Sequence, residues 1–267
     1  MQSSKTVVVT GASSGIGLAL ATAFAGHGAR VVANSRHVTK SQTLTPSPDL
    51  VLVDGDIASP DVAGRVIEAA DRFGGVDLLV NNAGVFIAKA FAEDTSEDLA
   101  GLVSTNVTGF FHVTQSAVRS MQARKSGHVV TISTSLADQP IAGVSASLPV
   151  LTKGGLNAVT RALAIEHATQ GIRFNAVAAG IIDTPMHKPA SHDFLRQLHP
   201  IARLGTTAEI VDAVMYLERA PFVSGEVLHV DGGAHAGKWR KTPVSSAAGA
   251  RGDPARAPAP PRPLRGG

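Results

Sequence analysis

Hydrophobic and polar positions fall into two alternating textures along this chain. Short runs in which nearly every position is apolar or β-branched occur at Thr6–Thr10, Arg30–Asn34, Leu50–Val53, Val76–Asn81, His128–Ser133, Ile172–Val177 and Val227–Val230. Between them lie longer stretches whose apolar residues recur every three or four positions, near 15–27, 60–73, 96–124, 150–169 and 207–219. The short runs predict strands buried on both faces, and the longer stretches predict amphipathic helices. Their alternation predicts an α/β protein with a doubly wound, seven-stranded parallel sheet, helices on both faces, and ligands at the carboxyl ends of the strands. Residues 37–49 break the rhythm. They are polar, contain Pro46 and Pro48, and leave room for no more than about two helical turns. The pattern shows no internal repeat and no second domain.

The first strand runs directly into Thr10-Gly11-Ala12-Ser13-Ser14-Gly15-Ile16-Gly17 and then into the first helical stretch. A glycine turn between a strand and a helix lets a diphosphate approach the backbone, where free N–H groups and the positive helix end meet it. Glycines also make ordinary turns, so the position after a buried strand carries the argument.

Composition changes the picture in two ways. The chain has no cysteine, which excludes disulfides and thiolate metal sites. The N-terminus enters a strand with no signal-peptide pattern, and no apolar run approaches a membrane span, so a cytoplasmic protein without membrane association is expected. The net charge of +3 is unevenly spread. Residues 238–267 hold seven Lys/Arg and one Asp, which leaves seventeen basic and twenty acidic groups in 1–237. The tail is rich in Pro, Ala and Gly and has no apolar periodicity, so it is expected to be disordered, with 1–237 as the single domain. A nucleic-acid-binding tail is the alternative, and an inert extension the preferred reading.

The second strand ends at Ser35-Arg36. In a dinucleotide fold this tip meets the adenosine ribose, where a carboxylate would favour a free 2′-hydroxyl. Here Ser35 and the planar Arg36 fork suit a 2′-phosphate, which points to NADP rather than NAD. Asp56-Ile57 follows the third strand and offers a carboxylate to the adenine amino group; helix capping there falls more naturally to Ser59. Asn81-Asn82-Ala83-Gly84 follows the fourth strand and suits a close backbone approach.

Together with Asn106 in Asn-Val-Thr-Gly, Arg173-Phe174-Asn175-Ala176-Val177 and Val230-Asp231-Gly232-Gly233-Ala234, these motifs resemble the short-chain dehydrogenase/reductase family from about residue 5 to 239. The resemblance implies a one-domain Rossmann fold and a nicotinamide cofactor. It also implies a homodimer or homotetramer built on the helices near 96–124 and 150–169. The substrate it implies is a small carbonyl or alcohol.

Family members use Asn, Ser, Tyr and Lys. The Tyr hydroxyl supplies the proton, the Lys lowers the Tyr pKa and holds the nicotinamide ribose, the Ser orients the carbonyl, and the Asn holds a water. By resemblance, Asn106, Ser135 and Lys153 fill three of these roles, with Thr134 or Ser133 in place of Ser135 if the register slips. The Tyr belongs four residues before Lys153, and Pro149 stands there. The lone tyrosine, Tyr216, falls in the last helical stretch. Ser147 is expected to cap the helix that Pro149 enters. Proton delivery then comes from Ser135, a Lys153-bound water, His187 or Asp138. The alternative is a catalytically impaired NADP(H)-binding protein acting as sensor or scaffold.

Where the family has Pro-Gly, this chain has Ala179-Gly180. Gly180 keeps the close approach, and the Ile182 backbone and Thr184 hydroxyl match the places that hold the carboxamide. Residues 186–203 match the variable substrate lid, with Leu136, Ala137, Asp138, Val144 and Leu148 expected to add pocket wall. His187, His192 and His199 lack metal-ligand spacing, so no metal is expected and they read as solvated lid histidines.

Overall fold

Three consecutive valines, Val7, Val8 and Val9, lose contact with water on both sides only at the centre of a covered sheet, and they lie there, each essentially fully buried. The computed structural model describes residues 4–187 and 191–237. Its strands are β1 (Thr6–Thr10), β2 (Arg30–Ser35), β3 (Leu50–Asp54), β4 (Leu78–Asn81), β5 (Gly127–Thr134), β6 (Ile172–Ala179) and β7 (Val227–Val230). They form one sheet in the order β3-β2-β1-β4-β5-β6-β7, with every pairing parallel. The chain starts at the centre, winds to one edge, returns, and winds to the other. The reversal falls between β1 and β4, so their carboxyl ends diverge into a crevice.

The helices are α1 (Gly15–Gly26), α2 (Pro60–Asp71), α3 (Ser96–Leu102), α4 (Gly109–Arg124), α5 (Ser147–Glu166), α6 (His192–Leu195) and α7 (Thr207–Arg219). Strand alternation splits the core in two. Val7, Val9, Val31 and Ala33 pack with α1 and α7, while Val8 and Val32 pack with α2, α4 and the end of α5. Below the sheet, at the amino ends of β5 and β6, Arg173 donates to the carbonyls of Leu217 (3.1 Å), Ala220 (3.3 Å) and Val223 (2.8 Å), fastening the last turn of α7. That network lies at the opposite edge from the crevice.

All seven predicted strands are present, with ends displaced by up to two residues. The long helix expected over 96–124 is interrupted. Residues Val103–Thr108 form a π-helical turn between α3 and α4, and the extra residue turns Asn106 into the interior. Gly109 follows because a Cβ there would lie 2.7 Å from the Ile57 side chain. Residues 37–49 contain a short 3₁₀ turn at Val38–Lys40 and an isolated bridge from Ser47 to Leu50, anchored by the buried Val38 and Leu44. Ser147 is the first residue of α5, not its cap; Ala146 holds the cap position, where no side-chain bond forms. Pro149 is therefore the third helical residue, whose N–H would have no partner within the helix. No helix among the described residues is long and apolar enough to cross a membrane. The tail reading for 238–267 and residues 188–190 of the lid lie outside the described residues.

Candidate active site

The carboxyl ends of the strands open onto a cleft of about 940 Å³. Of the predicted residues, Gly11, Ser13, Ser14, Gly15, Ile16, Ser35, Arg36, Asp56, Ile57, Asn82, Ala83, Gly84, Ser135, Lys153, Gly180, Ile182 and Thr184 all line it. Gly17 and Asn106 do not, and each has a structural reason to lie behind the wall.

The turn after β1 is shaped by Gly11 (φ +67°) and Gly15 (φ +53°), both in the region that side chains disfavour. A Cβ on Gly11 would also lie 2.8 Å from Asn82 Nδ2 and 2.9 Å from Ala83 Cα. Gly17 packs its bare Cα against the Gly11 carbonyl, bringing α1 close to β1. Asn82 holds this turn from the neighbouring strand end: its Nδ2 donates to the carbonyls of Thr10 (3.0 Å) and Gly11 (3.3 Å). The Thr10 hydroxyl accepts from the Asn82 and Ala83 N–H groups, each at 3.0 Å. The cradle is rigid and a side chain would fill it, which fits an approaching diphosphate.

At the tip of β2, the Ser35 hydroxyl is buried with no hydrogen-bond partner. A buried hydroxyl without a partner costs free energy unless a ligand supplies one. Arg36 is exposed beside it and forms no ion pair among the described residues. Asp54 sits opposite Ser35 on β3, but its carboxylate accepts from the Thr39 hydroxyl and N–H (2.9 Å), which hold its pKa below the ordinary value. Asp56 Oδ1 accepts from Ala58 N (2.9 Å) and shapes the loop before α2. Ser59 makes no side-chain cap there, contrary to expectation.

Lys153 projects from α5 toward the same cleft. Its Nζ donates to the Ile132 carbonyl at 3.4 Å, and no carboxylate pairs with it among the described residues. Part of the side chain remains accessible from the cleft, while the dense surrounding protein pulls its pKa from 10.5 down to about 8. Ser133, Thr134 and Ser135 all line the cleft near it. Thr134 uses its hydroxyl to cap Leu136 N (3.3 Å), and the buried Ser133 hydroxyl is unpartnered. Pro149 is buried one helical turn from Lys153 and does not line the cleft. Tyr216 is half-exposed on α7.

Asn106 and Lys153 line one small cavity, while several other expectations are corrected. Asn106 is buried and committed: its Oδ1 accepts from Val85 N (2.9 Å), and its Nδ2 donates to Val85 O (3.1 Å) and Thr152 Oγ1 (3.1 Å). The side chain therefore positions the loop after β4. Asp138 does not reach the cleft; its Oδ2 pairs with His229 Nε2 at 3.0 Å. Ala137 and Leu148 are likewise absent from the wall, while Leu136 and Val144 contribute to it. His199 is not solvated. It is only 3 % exposed, and its Nε2 accepts from Ile181 N (3.0 Å), bracing the loop at Gly180. A Cβ on Gly180 would lie 2.7 Å from that ring nitrogen. His187 lines the cleft, and burial pulls its pKa below 6.5, leaving it neutral at pH 7. Among the described residues no cluster of His, Asp and Glu has metal-binding geometry. Phe86, Lys89 and Ile141 line the cleft without having been singled out in the sequence. They follow the ends of β4 and β5, and that position is the only signal marking them.

Fold and cleft together define a doubly wound α/β protein with a nucleotide-sized crevice at its topological switch point. A sequence profile described as Enoyl-(Acyl carrier protein) reductase matches residues 11–235. The chain is 32% identical over 243 residues to the 3-oxoacyl-(acyl-carrier-protein) reductase FabG of Vibrio cholerae, covering 86% of this chain and 97% of that protein. It is 34% identical over 247 residues to glucose 1-dehydrogenase of Gluconobacter oxydans, covering 86% and 91% of the two chains. The solved structure of ElxO with NADP bound superposes with a TM-score of 0.81 at 28% identity, covering 88% of this chain and all of that one. This chain belongs to the short-chain dehydrogenase/reductase family of oxidoreductases.

Proposed function

We propose that this chain is an NADP(H)-dependent oxidoreductase that moves a hydride between its cofactor and a small carbonyl or alcohol, with Lys153 as proton source in place of the family's tyrosine. The observation that carries this reading is the unpaired Lys153 ammonium at the cleft, pulled down to about 8 by burial. A group titrating there exchanges protons near neutral pH, directly or through one water. Ser135 is far too weak an acid, His187 is neutral, and Asp138 is engaged elsewhere.

The nicotinamide cofactor, when bound, supplies or accepts the hydride. The turn from Gly11 to Gly17 and the start of α1 would hold its diphosphate, and Asp56 with Ile57 its adenine. Ile182 and Thr184 would hold the carboxamide, and Lys153 the ribose. The unpartnered Ser35 hydroxyl and free Arg36 support NADP over NAD, because both present donors and Asp54, the carboxylate in register with Ser35, is held by Thr39. Replacing Arg36 by aspartate is expected to weaken NADPH binding about 10- to 100-fold while leaving NADH within a few-fold. Calorimetric titration of both nucleotides reads this, and equal losses for the two would remove the NADP assignment.

A second reading is binding without efficient turnover. The burial of Pro149 and the engagement of Asp138 support it, since neither offers an acid to the cleft. Purified protein titrated with NADPH and assayed on aldehydes, ketones and quinones separates the two. Tight binding without oxidation of NADPH on any carbonyl would leave the sensor or scaffold reading standing.

The uncovered apolar residues Leu99, Val103, Val107 and Phe111, with Leu151 and Ile165 on α5, support assembly as a homodimer or homotetramer through these helices. Light scattering that finds only monomer at micromolar concentration would reject it.

A further inference from the structure

We infer that the substrate carried by this site is an apolar carbonyl compound, with an aliphatic or alicyclic body, and not a polyhydroxylated one. The inference rests on the oxidoreductase reading above. The part of the cleft beyond Lys153 and Ser135 is walled by Phe86, Leu136, Ile141, Val144, Met186 and Phe194. Met186 and Phe194 remain 59% and 56% exposed, so apolar surface at the mouth is left for a ligand to cover. Among the described residues lining that part there is no Asp, Asn, Gln or Arg, and its one carboxylate, Glu93, is exposed to solvent. Those are the side chains that grip adjacent hydroxyls with paired hydrogen bonds.

The polar groups that do line it are poorly disposed for a sugar. Lys89 spends one of its three donors on Asp98 at 2.6 Å, and Ser145 offers a single hydroxyl. Glu93 is exposed, and His187 is a single neutral ring. A polyol bound here would surrender its hydration to aliphatic walls, a cost of several hydrogen bonds without replacement. An apolar body loses nothing of that kind and gains by area. The serine and threonine hydroxyls near Lys153 are enough to orient one oxygen. In the reductive direction, the carbonyl carbon gains a C–H bond with the hydride, and the C=O π pair moves onto oxygen. That oxygen takes a proton from the Lys153 ammonium, and a bound reduced nicotinamide would supply the hydride and its electron pair.

The test uses the full chain with NADPH and two pairs of probes, menthone and decalone against glucose and xylose. Turnover is followed by NADPH oxidation, and binding of each probe by calorimetry on the same preparation, with and without oxidised cofactor. The expected result is binding of both ketones and none of the sugars at equal concentration. Leu136→Asn is expected to weaken ketone binding at least about tenfold, and Val144→Asn serves the same purpose if that variant misfolds. Sugar binding equal to or tighter than ketone binding overturns the inference, as does failure of both ketones to bind. Because binding is read apart from turnover, a protein that binds ketones without reducing them supports the inference while removing the proposed reaction.

Discussion

Replacing Lys153 by methionine is expected to abolish carbonyl reduction while making the cofactor-free protein more stable. Methionine keeps the volume and the apolar stem but removes a charge that burial disfavours. The loss of a general acid is worth about 10²- to 10⁴-fold in rate, with a further loss from the ribose contact. The stability gain follows from linkage. The unfolded chain holds this proton up to about 10.5 and the folded chain only to about 8, so the unfolded state binds more protons between these values. The wild-type protein should therefore gain stability as pH rises through that window, and pay the full penalty below it. Since the side chain keeps some access to the cleft, that penalty is about 1–3 kcal/mol. Thermal melts of the two proteins at pH 7 and pH 10 check it: the methionine variant should melt higher at pH 7, with the gap narrowing toward pH 10. In the wild type, reduction needs the ammonium and should fall as pH rises through about 8, while alcohol oxidation should rise. A rate that is flat across that range would show that another group carries the proton.

Installing a phenol by Pro149→Tyr is expected to raise carbonyl reduction by about tenfold over the starting chain, less than the roughly 10²- to 10⁴-fold a general acid is worth because Lys153 already delivers a proton. The backbone tolerates the exchange because position 149 is the third residue of α5, where the restored N–H needs no partner inside the helix. The phenol would stand one turn from Lys153, whose ammonium would lower its pKa. Pro149 is buried, however, and does not line the cleft, so the larger ring must displace the adjoining wall to reach the substrate oxygen. Steady-state rates measured beside an NADPH titration decide the matter. No gain in a variant that still binds NADPH would show that a side chain at position 149 does not reach the substrate oxygen.

Much of the framework was legible in the residues. The buried strands announce themselves by local composition, and the glycine turn by its place between a strand and a helix. Ser35 and Arg36 follow from counting to the end of β2. Ser59 and Ser147 failed locally as helix caps, whereas the failed readings of Asp138 and His199 depended on partners distant in the chain. Asn106 reads as a site residue in its motif, and only the fold shows that its side chain binds Val85 and Thr152, 21 and 46 residues away, beside the same small cavity as Lys153. Asp138 looks free beside Ser135 until His229, 91 residues on, takes its carboxylate. His199 reads as a solvated histidine until the Ile181 N–H is found against its ring. The interruption at Val103–Thr108 has no signature in hydrophobic period, because one extra residue shifts the apolar face without erasing it.

By itself, the sequence determined the doubly wound sheet, the glycine cradle at its switch point and the absence of a tyrosine four residues before Lys153. These are properties of short segments, set by burial on two faces, by backbone angles that only glycine takes easily, and by which side chains exist at all. Only the tertiary structure decided which polar groups remain free to act. Burial around Lys153 and the capture of Asn106, Asp138 and His199 by distant partners are products of packing, and proton affinity depends on that packing. The turn at Gly11 to Gly17 thus reads as a cofactor cradle from the residues alone, whereas the proton that would accompany the hydride can be assigned only once Lys153 is seen enclosed and unpaired.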